Sequence, residues 1–117
     1  MPLAELYFDP QRVNPSVAAG VAHALTNWVA DALSVEEEDG QLTSDDIEVR
    51  VRAKGPHDVT AYHVEITVWA KHYPTREAKL DWATARIAAE LDKQIIGGVR
   101  GFVYILLSPA GFAEFEV

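Results

Sequence analysis

Cysteine is absent from this 117-residue chain, which excludes disulfides, thiolate zinc sites, iron-sulfur clusters and cysteine nucleophiles. Positive charge is scarce. Ten Lys and Arg stand against 18 Asp and Glu, a net charge of −8, so the summed field repels nucleic acid and anionic membranes. No long apolar run is present: the longest, Phe102 to Leu107, is far too short to span a bilayer, and the opening Met1-Pro2-Leu3-Ala4-Glu5 lacks the positive charge and apolar length of a targeting segment. A cytoplasmic protein that binds neither membrane nor nucleic acid is expected.

Glycine-rich phosphate loops and the Gly-x-Ser-x-Gly elbow are also missing. The four histidines, His23, His57, His63 and His72, form neither an HxH nor an HExxH pattern, so no metal is expected. What remains is an ordinary globular composition, 49% hydrophobic and 24% charged, of one domain's length spanning 1–117.

Residues 3–8 read as a short strand ended by Asp9-Pro10. Asn14 then Pro15 form an N-cap and first-turn proline, and Val17, Val21, Leu25, Trp28 and Ala32 recur at helical spacing, which predicts a helix to Leu33. Acidic residues 34–46 connect it to a second strand over 47–54, where Ile47, Val49, Val51 and Ala53 alternate with Glu48, Arg50, Arg52 and Lys54. Gly55-Pro56-His57-Asp58 turns the chain into a third strand over 60–71. Thr75 is the candidate N-cap of a second helix, with Leu80, Ala83, Ile87 and Leu91 as its apolar stripe and Gly97-Gly98 beyond its end. A fourth strand covers 99–107.

The order is β-α-β twice, with repeat halves near 2–54 and 60–107, which predicts an α+β fold: a four-stranded sheet with two helices on one face. Two folds share that order. One is the ferredoxin-like sandwich, with the second and third strands paired as a hairpin; the other sets two intact β-α-β units side by side about a pseudo-two-fold axis. In either, one sheet face is left uncovered, and Leu3, Tyr7, Trp69, Phe102, Tyr104 and Leu106 are its candidates. A face that apolar is expected to be buried by self-association.

Met1-Pro2 leading into a strand, Gln11-Arg12 just before the first helix, the β-α-β duplication at this length, Phe102-Val103-Tyr104 ahead of Pro109 and the passage Val64 to Ile87 together resemble the tautomerase superfamily. That group includes 4-oxalocrotonate tautomerase, 5-carboxymethyl-2-hydroxymuconate isomerase, macrophage migration inhibitory factor and cis-3-chloroacrylic acid dehalogenase. The resemblance covers nearly the whole chain. It implies the paired β-α-β architecture, a homotrimer, and cofactor-independent tautomerase or isomerase chemistry on a small unsaturated or 2-oxo carboxylate.

In that chemistry Pro2 is the general base. Removal of Met1 would leave its nitrogen a secondary amine, and burial with neighbouring cations disfavours the protonated form of such an amine. The bland alternative is a proline that opens an edge strand. Arg12 is implied as a carboxylate clamp, against a solvated loop arginine. Arg50 and Arg52 share one strand face, either as a further clamp or as ion pairs with Glu5, Glu48 or Glu65.

Lys71 stands where the dehalogenase branch carries an arginine, and Arg76 is displaced into the helix, a departure from that branch. Tyr104 is either a hydrogen-bond donor to substrate or an interface tyrosine. Glu114, or Glu116, would activate water in a hydratase or dehalogenase alternative, or belongs to a solvated tail. A third reading keeps the fold as a non-catalytic oligomeric ligand-binding protein.

Overall fold

The two central strands show the alternation that a one-sided sheet demands, and this fixes which face is covered. In β1, Leu3–Phe8, Ala4, Leu6 and Phe8 are buried, while Leu3, Glu5 and Tyr7 are half-buried. β3, Val64–Lys71, repeats the pattern with Val64, Ile66, Val68 and Ala70 inward. β2, Glu48–Ala53, and β4, Gly101–Ser108, are the edges. The computed structural model describes every residue except Met1, Glu38, Asp39, Thr60, Ile96, Phe112 and Val117.

The helix α1 runs over Pro15–Leu33, the expected bounds, and Asn14 caps it: the Asn14 side-chain oxygen accepts the Ser16 backbone N–H at 2.8 Å and the Ser16 hydroxyl at 2.7 Å. The second helical region differs from expectation. A single turn, α2 at Pro74–Glu77, precedes the longer α3 at Leu80–Gln94. Thr75 therefore sits inside α2 and caps nothing; its hydroxyl donates to Glu37 Oε1 at 2.7 Å. Proline supplies the reason, because its fixed φ and missing N–H suit the first position of a helix, here Pro74.

Sheet order β2-β1-β3-β4 decides between the two candidate folds. β1 and β2 are parallel, β3 and β4 are parallel, and the central β1–β3 pair is antiparallel, with Leu3 opposite Trp69 and Phe8 opposite Val64. No β2–β3 hairpin forms, so the two β-α-β units lie side by side. The other strand limits shift by one to four residues, and Thr60, part of the expected third strand, lies outside the described residues.

One buried cluster joins β1, β3 and Ile105 of β4 to Val21, Leu25, Val29 and Leu33 of α1 and to Ala83, Ile87 and Leu91 of α3. Both long helices thus cover the same face. On the other face the register aligns Leu3, Trp69 and Leu106 in one row, and Tyr7, Glu65 and Phe102 in another. Trp69 is 38% and Tyr104 56% exposed there, so the uncovered face carries the apolar residues the sequence assigns to it, interleaved with Glu5, Arg50, Arg52 and Glu65.

Candidate active site

The topology brings the ends of six elements together. Each helix runs antiparallel to its strands, so the starts of β1, β2 and α3 meet the ends of α1, β3 and β4 at one edge of the sheet. Pro2 lies there and is buried. Its carbonyl accepts the Glu48 N–H at 3.2 Å, and continuing the β1–β3 register one step past Leu3–Trp69 sets it across from Ala70.

The same edge gathers positive charge. Arg76 of α2 is 2% exposed. Its Nε donates to the Leu33 carbonyl at 2.8 Å, Nη1 to Lys71 O at 2.8 Å and Nη2 to Gly40 O at 3.1 Å. Lys79 Nζ donates to the Ser34 carbonyl. The end of α1 carries no basic residue of its own, so these two cations come from α2 and the start of α3 to meet its last carbonyls and the negative end of its dipole. Burial pushes both groups below their ordinary pKa values, and for Lys79 the neighbouring Arg76 adds to the shift. Lys71 joins them at the end of β3, with its ammonium 5.3 Å from the centre of the Tyr73 ring; the Arg76 guanidinium is 5.0 Å from the same ring.

Acid and acceptor groups complete this edge. The Thr75 hydroxyl bond, then the residue's own backbone, hold Glu37 below the usual carboxylate range; burial opposes them, and the Arg76 charge adds the smallest lowering effect. Glu37 Oε2 and the Tyr73 hydroxyl are buried with no hydrogen-bond partner among the described residues, a polar niche able to bond an incoming group. A carboxylate whose folded pKa is depressed stabilises fully above its unfolded value of about 4.3 and loses that contribution as pH falls through the folded value. The stability difference between the wild type and Glu37→Gln, measured by urea denaturation, is therefore expected to be full near pH 7 and to shrink as the pH falls below about 4.3.

The other residues singled out from sequence lie elsewhere within one chain. Arg12 is at the opposite edge, beyond the end of β1, where its guanidinium donates to Gly98 O at 2.6 Å. The six residues of β1 separate it from Pro2 by about 20 Å. Arg50 sits midway along the edge strand β2 on the uncovered face, across from Glu5, and pairs with Glu48 at 3.2 Å; Arg52 donates to the Tyr7 hydroxyl at 3.3 Å. Glu65 pairs with Lys54 instead. Tyr104 occupies the middle of the same face, across from Thr67. Glu114 is exposed on the C-terminal tail. Of the expected set, the fold of one chain brings only Lys71 to Pro2.

Arg76, Glu37 and Tyr73 are the residues that sequence reasoning undervalued. The signal available was weak: Arg76 follows Pro74 by two residues, and its partners are backbone carbonyls 5 to 43 residues away, which leave no side-chain pattern.

Comparison with known proteins places this geometry. No protein-family model matches the chain, and no curated protein matches it. Solved structures do. A macrophage migration inhibitory factor-like protein from Entamoeba histolytica superposes with TM-score 0.66 at 9% identity, over 98% of this chain and 95% of that one. Malonate semialdehyde decarboxylase, a protein with decarboxylase and hydratase activities, gives 0.66 at 13% identity, covering 98% and 91%. A 5-carboxymethyl-2-hydroxymuconate delta-isomerase gives 0.63 at 10% identity, covering 99% and 89%. The fold of this chain is shared with these solved structures and is the paired β-α-β architecture that the sequence resemblance implied.

Proposed function

We propose that the chain is a cofactor-independent tautomerase or isomerase of small 2-oxo or unsaturated carboxylates, with Pro2 as its general base. The observation that carries this reading is the burial of Pro2 at the strand ends where Lys71 closes β3 and where Arg76 and Lys79 meet the end of α1. A secondary amine in that setting is disfavoured as a cation by lost hydration and by neighbouring positive charge, which poises it to take a proton at neutral pH.

The reaction balances without a co-reactant. The Pro2 lone pair takes the proton from the carbon beside the substrate carbonyl, and the electron pair left behind moves onto the carbonyl oxygen. Cations hold that oxygen and the substrate carboxylate. The prolinium then returns the proton to oxygen or to a second carbon. Met1, which lies outside the described residues, must be removed for the nitrogen to be basic.

Arg12 joins this site from a neighbouring protomer in a homotrimer built on the uncovered face. Support comes from the row of Leu3, Trp69 and Leu106 on that face, from the Arg12 position far from Pro2 of its own chain, and from the resemblance to a trimeric family. Trp69→Asp places an unpaired charge in that face. It is expected to convert a sedimenting trimer to monomer and to remove activity together with it. A variant that stays trimeric and active would contradict the placement.

Incubation with phenylenolpyruvate and, separately, with a 3-haloacrylate tests the activity itself. Ketonisation without halide release is the expected result; halide release would favour a hydratase or dehalogenase, and neither reaction would leave a binding protein.

A further inference from the structure

At the edge of the sheet opposite Pro2, a cavity of about 420 Å3 opens between the end of α3 and the start of β4. We propose that this cavity is a second ligand site, for a compact aromatic monocarboxylate, with Arg100 as the anion partner.

Its floor is apolar, formed by Val64, Leu91, Ile95 and Val103, and its volume falls within the roughly 300–1,000 Å3 of small-molecule sites. The rim is aromatic and cationic. Tyr62 and Phe102 meet edge to face at 5.1 Å and 89°. Arg100 lies with its guanidinium carbon 5.2 Å from the Tyr62 ring centre. Contact with a ring uses the face of a guanidinium and leaves its in-plane N–H groups for a carboxylate fork. Among the described residues Arg100 has no carboxylate partner. Asp92 also lines the cavity, so a second negative charge on the ligand is repelled, which favours a monocarboxylate over a dicarboxylate.

The rim is also held in place before any ligand arrives. The Arg100 backbone N–H donates to His63 Nδ1 at 2.9 Å, and its carbonyl accepts from His63 N at 2.7 Å and Val64 N at 3.2 Å. The preceding turn passes through Gly98 at φ 89°, a conformation that favours glycine, and Arg12 fastens the Gly98 carbonyl at 2.6 Å. Gly101 lets β4 close on β3, since a Cβ there would meet Val64 O at 2.9 Å. A site fixed in advance loses little freedom on binding.

Gly97 and Gly101 line the cavity, and their backbone amides report on it in a 1H–15N NMR titration. With 3-phenylpropionate as probe, both signals are expected to shift saturably, while Lys71 and Ser108 amides at the Pro2 edge stay still. The neutral 3-phenylpropanamide and the Arg100→Gln variant should each bind at least about tenfold more weakly. Ala88→Phe, a change on an exposed cavity-facing position of α3, should abolish the shifts.

Absence of a saturable shift at Gly97 and Gly101 up to about 10 mM overturns the site. So does equal binding of the neutral amide, undiminished binding by Arg100→Gln, or a response confined to Lys71 and Ser108. Arg12, which the trimer would bring to a neighbouring Pro2 site, also fastens this rim, so shifts of all four amides together would assign the binding to that site and overturn a second one.

Discussion

Replacing Pro2 with alanine is expected to lower kcat/KM for phenylenolpyruvate ketonisation by about 10²–10⁴, the usual contribution of a positioned general base. The alanine variant still offers an α-amino group once Met1 is removed, but a primary and more freely rotating one, so the loss measures how far the ring fixes the lone pair. Position 2 packs against the start of β2 and across from Ala70, where alanine fits without strain, so the urea midpoint should move little. A fall in kcat with an unchanged midpoint separates a chemical role from a structural one. Unchanged turnover would assign Pro2 to the strand alone.

Arg76→Met is expected to destabilise the fold by about 3–5 kcal/mol. Methionine keeps most of the length and apolar volume of the side chain, so the effect isolates the guanidinium. Gly40 O retains the Val35 N–H at 2.9 Å, whereas Leu33 O and Lys71 O each lose the Arg76 bond that fixes them. A carbonyl left buried without its donor costs about 1–3 kcal/mol, and the α1 terminus also loses a cation from its negative end. Burial lowers the Arg76 pKa, a desolvation cost that its removal recovers in part, which holds the net effect to this range. Arg76→Lys should restore only part of the loss, because an ammonium cannot present a planar fork to three carbonyls. Urea denaturation of the three proteins measures the difference, and a shift below about 1 kcal/mol for Arg76→Met would contradict the role assigned to it.

How much of this was readable from sequence depends on the distance over which each signal acts. β1 and α1 were legible to the residue, because the Asp9-Pro10 break, the Asn14-Pro15 start and the spacing of Val21, Leu25 and Ala32 are all local. The uncovered face was legible too, since period-two alternation assigns Trp69, Phe102 and Tyr104 to one side whatever the strand order. Strand order was not. Whether β3 pairs with β1 or with β2 depends on how the two β-α-β halves dock, and both dockings bury the same residues.

The site divides in the same way. Pro2 and Lys71 lie at strand ends, which alternation and breakers mark, and both reach one edge of the sheet. Arg12 and Pro2 flank a single strand, yet a strand holds its two ends apart, so closeness in sequence misleads within one chain. Arg76 was discounted for falling inside a helix. Its three acceptors come from α1, the following loop and β3, and only the assembled fold collects them.

Intact mass of the active protein, taken on the sample whose turnover is measured, tests the central proposal most directly. The account predicts a mass lacking the initiating methionine, with kcat/KM rising through one inflection below the ordinary α-amino range of about 7.7–8.0. Full activity from protein that still carries Met1, whose Pro2 nitrogen would be an amide, would contradict it.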